Sequence, residues 1–278
     1  MKKILLATTV LAFSAGFAAA EVKFSGTAAM GVASDAGGPF HSYSSANLAV
    51  EFVGESDSGL SFGATFSADM GHAYAFADDD GFSDGDGTFG APEVWISGSF
   101  GKLAMNHNGY GFFHNDDSDY DQGDVMYTGT FGAFSVGLIA DVEAYDDFGD
   151  DADMSVNLAY AANNLAANLN LDDNGDYDVS LGYTMGAITA TVANDHDNVS
   201  SLELAYDANG ITGSVKFDTD SFWSASAGYS ANSMTVNVST DADSAWSIDG
   251  EYDLGGGLAL VAGVNYTDDA FLGATMSF

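Results

Sequence analysis

Apolar and polar residues alternate along most of the chain beyond residue 20. In 22–32, Val22, Phe24, Gly26, Ala28, Met30 and Val32 take one face, and Lys23, Ser25, Thr27 and Gly31 take the other. In 46–53, Leu48, Val50 and Phe52 oppose Asn47 and Glu51. In 164–172, Leu165, Ala167, Leu169 and Leu171 oppose Asn168, Asn170 and Asp172, and in 234–239 Met234, Val236 and Val238 oppose Thr235, Asn237 and Ser239. A strict period of two with one apolar and one polar face predicts half-buried β-strands. By the same alternation Glu51, Glu203, Lys216 and Asp218 fall on the polar face.

A longer period is superimposed on the short one. Tyr160, Tyr183, Tyr206, Tyr229 and Tyr252 recur at one constant interval, each closing an alternating run before a turn of small residues. One aromatic at one place in each repeat means one supersecondary unit repeated. Two strands and two turns fill such a unit, so the unit is a β-hairpin. Its tyrosines then form an aromatic girdle at one end of a closed sheet.

The turns between the runs are of two alternating kinds. Tight, nearly uncharged turns fall at Phe100-Gly101, Gly132-Ala133, Asn163-Asn164, Gly186-Ala187, Ala208-Asn209-Gly210, Ala231-Asn232 and Gly255-Gly256-Gly257. Acidic and often longer loops fall at 71–90, 108–123, 143–153, 172–176, 194–198, 218–220, 240–243 and 267–269. Counting hairpins gives about 18 strands, with 16 the neighbouring even number. The polar face is mostly Ser, Thr, Asn, Gly and Asp, which suits a hydrated interior. The apolar face, carried round so many strands, is a band far larger than a soluble monomer exposes. Lipid accepts such a band, and closure removes the unpaired edges that lipid forbids. The predicted fold is therefore all-β, a transmembrane antiparallel barrel with short periplasmic turns and longer acidic extracellular loops.

Residues 1–20 read as a cleaved secretory signal. Lys2 and Lys3 precede an apolar stretch, and Ala18, Ala19 and Ala20 supply the small-residue cleavage site, leaving one domain over 21–278. The chain has no cysteine, which excludes disulfide stapling and thiol catalysis. Past the signal, three lysines, Lys23, Lys102 and Lys216, stand against 41 carboxylates, with no arginine. Nucleic acid is excluded as a partner on this balance.

The segments EVKFSGTAAMGV (21–32), GESDSGLSFGATFSA (54–68), EVWISGSFGKLAM (93–105) and EYDLGGGLALVAG (251–263) resemble the general-diffusion porins of alphaproteobacteria. The chain also closes on Phe278 after an alternating run, similar to the terminal signal of outer-membrane barrels. The resemblance implies an outer-membrane homotrimer of water-filled barrels, usually 16-stranded, passing small hydrophilic solutes. It also implies a third loop folded into the lumen. That loop is 108–124 here, and it would place Asp116, Asp117, Asp119, Asp121 and Asp124 at the constriction. The family's opposing arginine cluster has no counterpart, so the expected lumen has one sign and favours cations.

Other chemistry is thin. The histidines His41, His72, His107, His114 and His196 form no metal-protease pattern, and no nucleophile elbow is present, so no enzyme is expected. Asp78, Asp80, Asp84 and Asp86 sit in an acidic Gly-containing run with the oxygens of a calcium loop but without its spacing. No cofactor is expected beyond calcium held loosely by the acidic loops. The alternative function is a structural or adhesive outer-membrane barrel whose acidic loops bind divalent cations.

Overall fold

The structure, a computed structural model, describes residues 21–76, 82–113, 122–142 and 154–278. Every regular element among them is a strand. The first half contains β1 (Glu21–Ser34), β2 (His41–Glu55), β3 (Ser61–Tyr74), β4 (Phe82–Asp86), β5 (Glu93–Gly98), β6 (Gly101–Gly111), β7 (Gln122–Phe131), β8 (Phe134–Ala140) and β9 (Met154–Ala162). The second half contains β10 (Leu165–Asp172), β11 (Tyr177–Met185), β12 (Ile188–Asp195), β13 (Ser200–Ala208), β14 (Ile211–Asp218), β15 (Trp223–Ala231), β16 (Met234–Asp241), β17 (Trp246–Gly255), β18 (Leu258–Asn265) and β19 (Ala270–Ser277).

Each strand pairs antiparallel with its sequence neighbours, with one exception, and β1 also pairs with β19, from Thr27↔Ser277 to Ser34↔Ala270. The sheet is therefore a closed barrel. The exception is β4 and β5, which share a partner. Tyr74–Met70 of β3 oppose Phe82–Asp86, and Thr65–Ser61 oppose Glu93–Ser97. Between them Gly87 and Gly90 donate to the carbonyls of Asp69 and Ser67, both at 3.0 Å. The two segments are thus one strand interrupted by a bulge, and the ring has 18 positions. The porins resembled usually have 16, so the hairpin count is the better guide.

The structure redraws two loops: within 108–123, residues up to Gly111 belong to β6 and Gln122 and Gly123 to β7. Residues 71–90 read as a single acidic loop, yet Gly71–Tyr74 and Phe82–Asp86 belong to paired strands. Acidic residues mask the alternation there. His72 opposite Asp84 is a cross-strand pair, with Nδ1 2.7 Å from Oδ1.

The constant interval of the tyrosines has a backbone cause. Asn163, Gly186, Asn209, Asn232 and Gly255, one at the turn after each repeat tyrosine, all have positive φ, from 53° to 82°. At the other end Gly175, Asn198, Ser221 and Ser244 share that spacing and φ of 65° to 93°. Asn and Gly tolerate this region best, which is why they punctuate the hairpins. The outer face is apolar and open to the surroundings all round, from Leu158 and Leu181 through Leu204, Val238 and Ile248 to Leu272.

Candidate functional site

The inner face can be identified from chords. Tyr43 on β2 lies across β1, so that a side chain added at Gly31 or at Gly273 on β19 would strike its hydroxyl. The Phe113 N–H donates to Ser155 Oγ on β9 at 3.0 Å, past β7 and β8. Contacts that skip strands run on the concave side of a closed sheet. Tyr43 shares its face with Asn47 and Glu51, and Ser155 shares its face with Asn157, so the polar face is the lumen.

That wall is knitted by side-chain ladders. Asn157 Nδ2 donates to Asn168 and Asn170 at 2.7 Å each, Ser214 bonds Ser226 at 2.9 Å, Asn237 donates to Asp249 at 3.0 Å, and Ser239 bonds Ser247 at 2.7 Å. Hydroxyls and amides that satisfy one another, with carboxylates such as Asp69 and Asp249 among them, form a hydrated lining.

The lysines sit beside glutamates. Lys23 Nζ is 3.5 Å from Glu51, and Lys102 Nζ is 2.6 Å from Glu93. The register sets Lys216 of β14 directly opposite Glu203 of β13. The placement of Lys216 across from Glu203 is not visible in the sequence, where Asp218 stands as its same-face neighbour. Asp218 is occupied elsewhere: its Oδ1 accepts the N–H groups of Asp220 and Phe222 at 3.0 and 2.9 Å. Asp195 and Asp241 cap their turns in the same way. These aspartates recur at the tyrosines' interval and hold loops that read as bare charge in the sequence.

Of the constriction residues, Asp116, Asp117, Asp119 and Asp121 lie outside the described residues. Asp124 lies on the inner face of β7, half-buried. The described flank of the loop folds inward. Tyr110 donates to Glu93 at 3.2 Å, and Phe113 packs onto the bare backbone of Gly137 on β8. Beneath this flank Ala104, Ile139 and Ser155 are almost wholly covered.

Of the calcium candidates, Asp78 and Asp80 lie outside the described residues. Asp84 bonds His72, and Asp86 accepts the N–H and hydroxyl of Thr88 at 2.8 and 2.7 Å. Among the described residues no three His or carboxylate side chains are grouped to hold a metal.

Tyr183, Tyr206, Tyr229 and Tyr252 are exposed on the outer face next to the short turns, and Tyr160 packs on Phe134 with ring centroids 4.9 Å apart. A second aromatic row, at the other end, is absent from the sequence reading. Tyr177, Phe217, Trp223 and Trp246 begin or end strands near the long loops, with Phe217 directly opposite Trp223. A signal for it exists, since Trp223 and Trp246 are themselves separated by the tyrosines' interval.

At the seam between first and last strands, two outer loops are clasped. Asp269 accepts the Ala36 N–H at 2.6 Å and the Thr267 hydroxyl and Asn265 amide at 2.7 Å each. Burial pushes the Asp269 carboxyl up, but the hydrogen bonds outweigh it and hold it below the ordinary carboxylate range. A lowered folded pKa gives stability that is complete above the unfolded value, near ~3.9, and is lost as pH falls through the folded one. Asp269→Ala should cost roughly 2 kcal/mol at neutral pH, and unfolding midpoints of the two proteins should draw together as pH falls below the ordinary carboxylate range. Unfolding in detergent across pH measures this; a constant gap at all pH would refute it.

A family model described as Gram-negative porin matches residues 7–270. Among solved structures, a porin refined at 1.8 Å resolution is 23% identical, with a TM-score of 0.56, covering 93% of this chain and 100% of its own. A triple mutant of the Rhodopseudomonas blastica porin is 16% identical, with a TM-score of 0.53, covering 92% and 100%. At such identity these structures testify to the fold. No curated protein sequence matches significantly. The family match spans nearly the whole chain, and the closed barrel with its apolar exterior and polar interior agrees with it: the chain belongs to the Gram-negative porin family and is an outer-membrane β-barrel channel.

Proposed function

We propose that the barrel passes small hydrophilic solutes by passive diffusion and prefers cations, with the loop between β6 and β7 setting its narrowest point. The observation that carries this reading is the placement of the lysines: each stands beside or opposite a glutamate, Lys23 by Glu51, Lys102 by Glu93 and Lys216 across from Glu203. Among the described residues no lysine is left over to oppose the carboxylates, so the field along the lumen has one sign. The inward turn of Phe113 supports a constriction formed by the residues after it, including Asp116, Asp117, Asp119, Asp121 and Asp124.

The remaining parts of the reading follow the barrel's surfaces. The apolar band is bathed in outer-membrane lipid, with the repeat tyrosines at its periplasmic border. The protein assembles as a homotrimer, as the resemblance to its relatives implies. The acidic outer loops hold calcium loosely rather than in a dedicated site.

Reversal potentials across planar bilayers in a KCl gradient test the proposal. The expected result is conductance with a cation-selective potential at pH 7. An anion-selective channel would refute the selectivity, and a barrel without conductance would refute the channel.

A further inference from the structure

The loop after β6 is not alone in reaching inward. At the end of β3, Tyr74 and Phe76 contact Phe271 on β19, with ring centroids 6.0 and 4.8 Å apart. Between β3 and β19 stand β2 and β1, so these side chains cross two strands. Tyr74 also packs on Tyr43 at 5.8 Å and on Phe82 of β4 at 4.9 Å. His72 stacks flat on Phe82 at 5.0 Å, with an interplanar angle of 7°, while its Nδ1 bonds Asp84. His41 meets the edge of Phe82 at 6.0 Å. Under these rings the inner wall is closed off: Ala33 and Tyr43 are buried. Gly31 and Gly273 leave the room that Tyr43 needs to lie flat.

Aromatic rings packed at stacked, tilted or edge-on angles are rigid and large, and favourable pairs of this kind add roughly 0.5–1.5 kcal/mol beyond their buried area. A cluster of this kind in a hydrated lumen is costly unless it fixes something in place. Near it the lumen forms a cavity of about 880 Å³, lined among others by Asn47, Asp69, Asp84, Glu251 and Thr275. The cluster stands on the β19–β4 arc and Phe113 on the β7–β9 arc. The arc from β10 to β17 carries the hydroxyl and amide ladders.

We propose that the ends of β3 and β4, pinned to β19 by Tyr74, Phe76 and Phe271, form a second inward strap that limits the cross-section of the pore. The solute path then runs along the ladder-bearing wall of β10–β17, and size selection is shared between strap and constriction loop. This rests on the channel reading, and the experiment separates the two.

The first measurement is single-channel conductance of the wild type beside Tyr74→Ala/Phe76→Ala and Phe271→Ala, each checked for barrel integrity by heat-modifiable mobility. Conductance should rise roughly 1.5-fold, with larger neutral sugars admitted in liposome swelling, because pore width and lining govern passage. Folded variants with unchanged conductance and exclusion size would overturn the strap while leaving the channel standing. The second measurement needs no current. A photoreactive phenylalanine analogue in place of Phe76 keeps the ring and should cross-link to the β19 peptide containing Phe271 in outer-membrane fractions. Absence of that cross-link, where the same analogue in place of Phe82 couples to the β3 peptide containing Tyr74, would overturn the strap even if the wild type carried no current.

Discussion

Neutralising the loop after β6 should remove most of the channel's cation preference. Replacing Asp116, Asp117, Asp119, Asp121 and Asp124 by asparagine is expected to lower the cation-to-anion permeability ratio roughly tenfold, the low end of the range over which a focused field alters local ion concentration. The lysines near the lumen are already set beside glutamates, so removing the aspartates exposes no opposing charge. Asparagine keeps size and turn chemistry, so folding should be preserved. The effect should shrink between 0.1 M and 1 M KCl, as the Debye length falls from about 10 Å to about 3 Å. In the wild type the same loss should appear as pH falls through roughly 5 to 4, where ordinary carboxylates take up protons. Changing Asp146, Asp147, Asp150 and Asp151, read as external, should do far less. Equal effects of the two sets in reversal-potential measurements would move the constriction elsewhere.

A cation in the middle of the outer face should be the most destabilising single change in the barrel. Val238 pairs with Ala227 and Ile248, midway between the row of Tyr229 and Tyr252 and the row of Trp223 and Trp246. Val238→Arg places its guanidinium in hydrocarbon and should cost roughly 2–4 kcal/mol. Val236 pairs with Tyr229, at the level of the aromatic border, so Val236→Arg should cost only about 0–1 kcal/mol. Asn237 lies between them in sequence but inside, where its amide bonds Asp249. Asn237→Lys keeps a partner of opposite charge and should be nearly silent. Urea unfolding of barrels reconstituted in lipid vesicles ranks the three, and a Val238→Arg as mild as Asn237→Lys would invert the assignment of faces.

The barrel is legible in the sequence because its signals are local. Alternation sets each strand's face, and Asn or Gly at a fixed interval sets each turn, so the hairpin count and the polar-face placement of Glu51, Glu203 and Lys216 are read from the sequence alone. What cannot be read travels across strands. Nothing near Tyr43 announces Gly273, and nothing near Phe113 announces Ser155, because those contacts depend on curvature. The acidic loops mislead in one respect. Asp195, Asp218 and Asp241 spend their oxygens on backbone N–H groups of their own turns, a use that composition does not distinguish from free charge. The interrupted strand formed by β4 and β5 is hidden for a related reason, since its polar residues pair with polar partners such as His72.

The constant repeat makes the circumference of this barrel a counted quantity. From Asn163 to Gly255 each unit starts and ends in the same backbone conformation, and each tyrosine returns to the same face. One whole unit is therefore the step that adds or removes two whole strands without turning a strand inside out. A deletion of one unit takes two strands from the ring and rejoins matching ends, leaving 16 of the 18 positions. A deletion one residue shorter or longer would turn the rejoined strand's apolar residues toward water unless a bulge or loop absorbed the difference. Diameter in such a chain changes by duplication or loss of an entire hairpin.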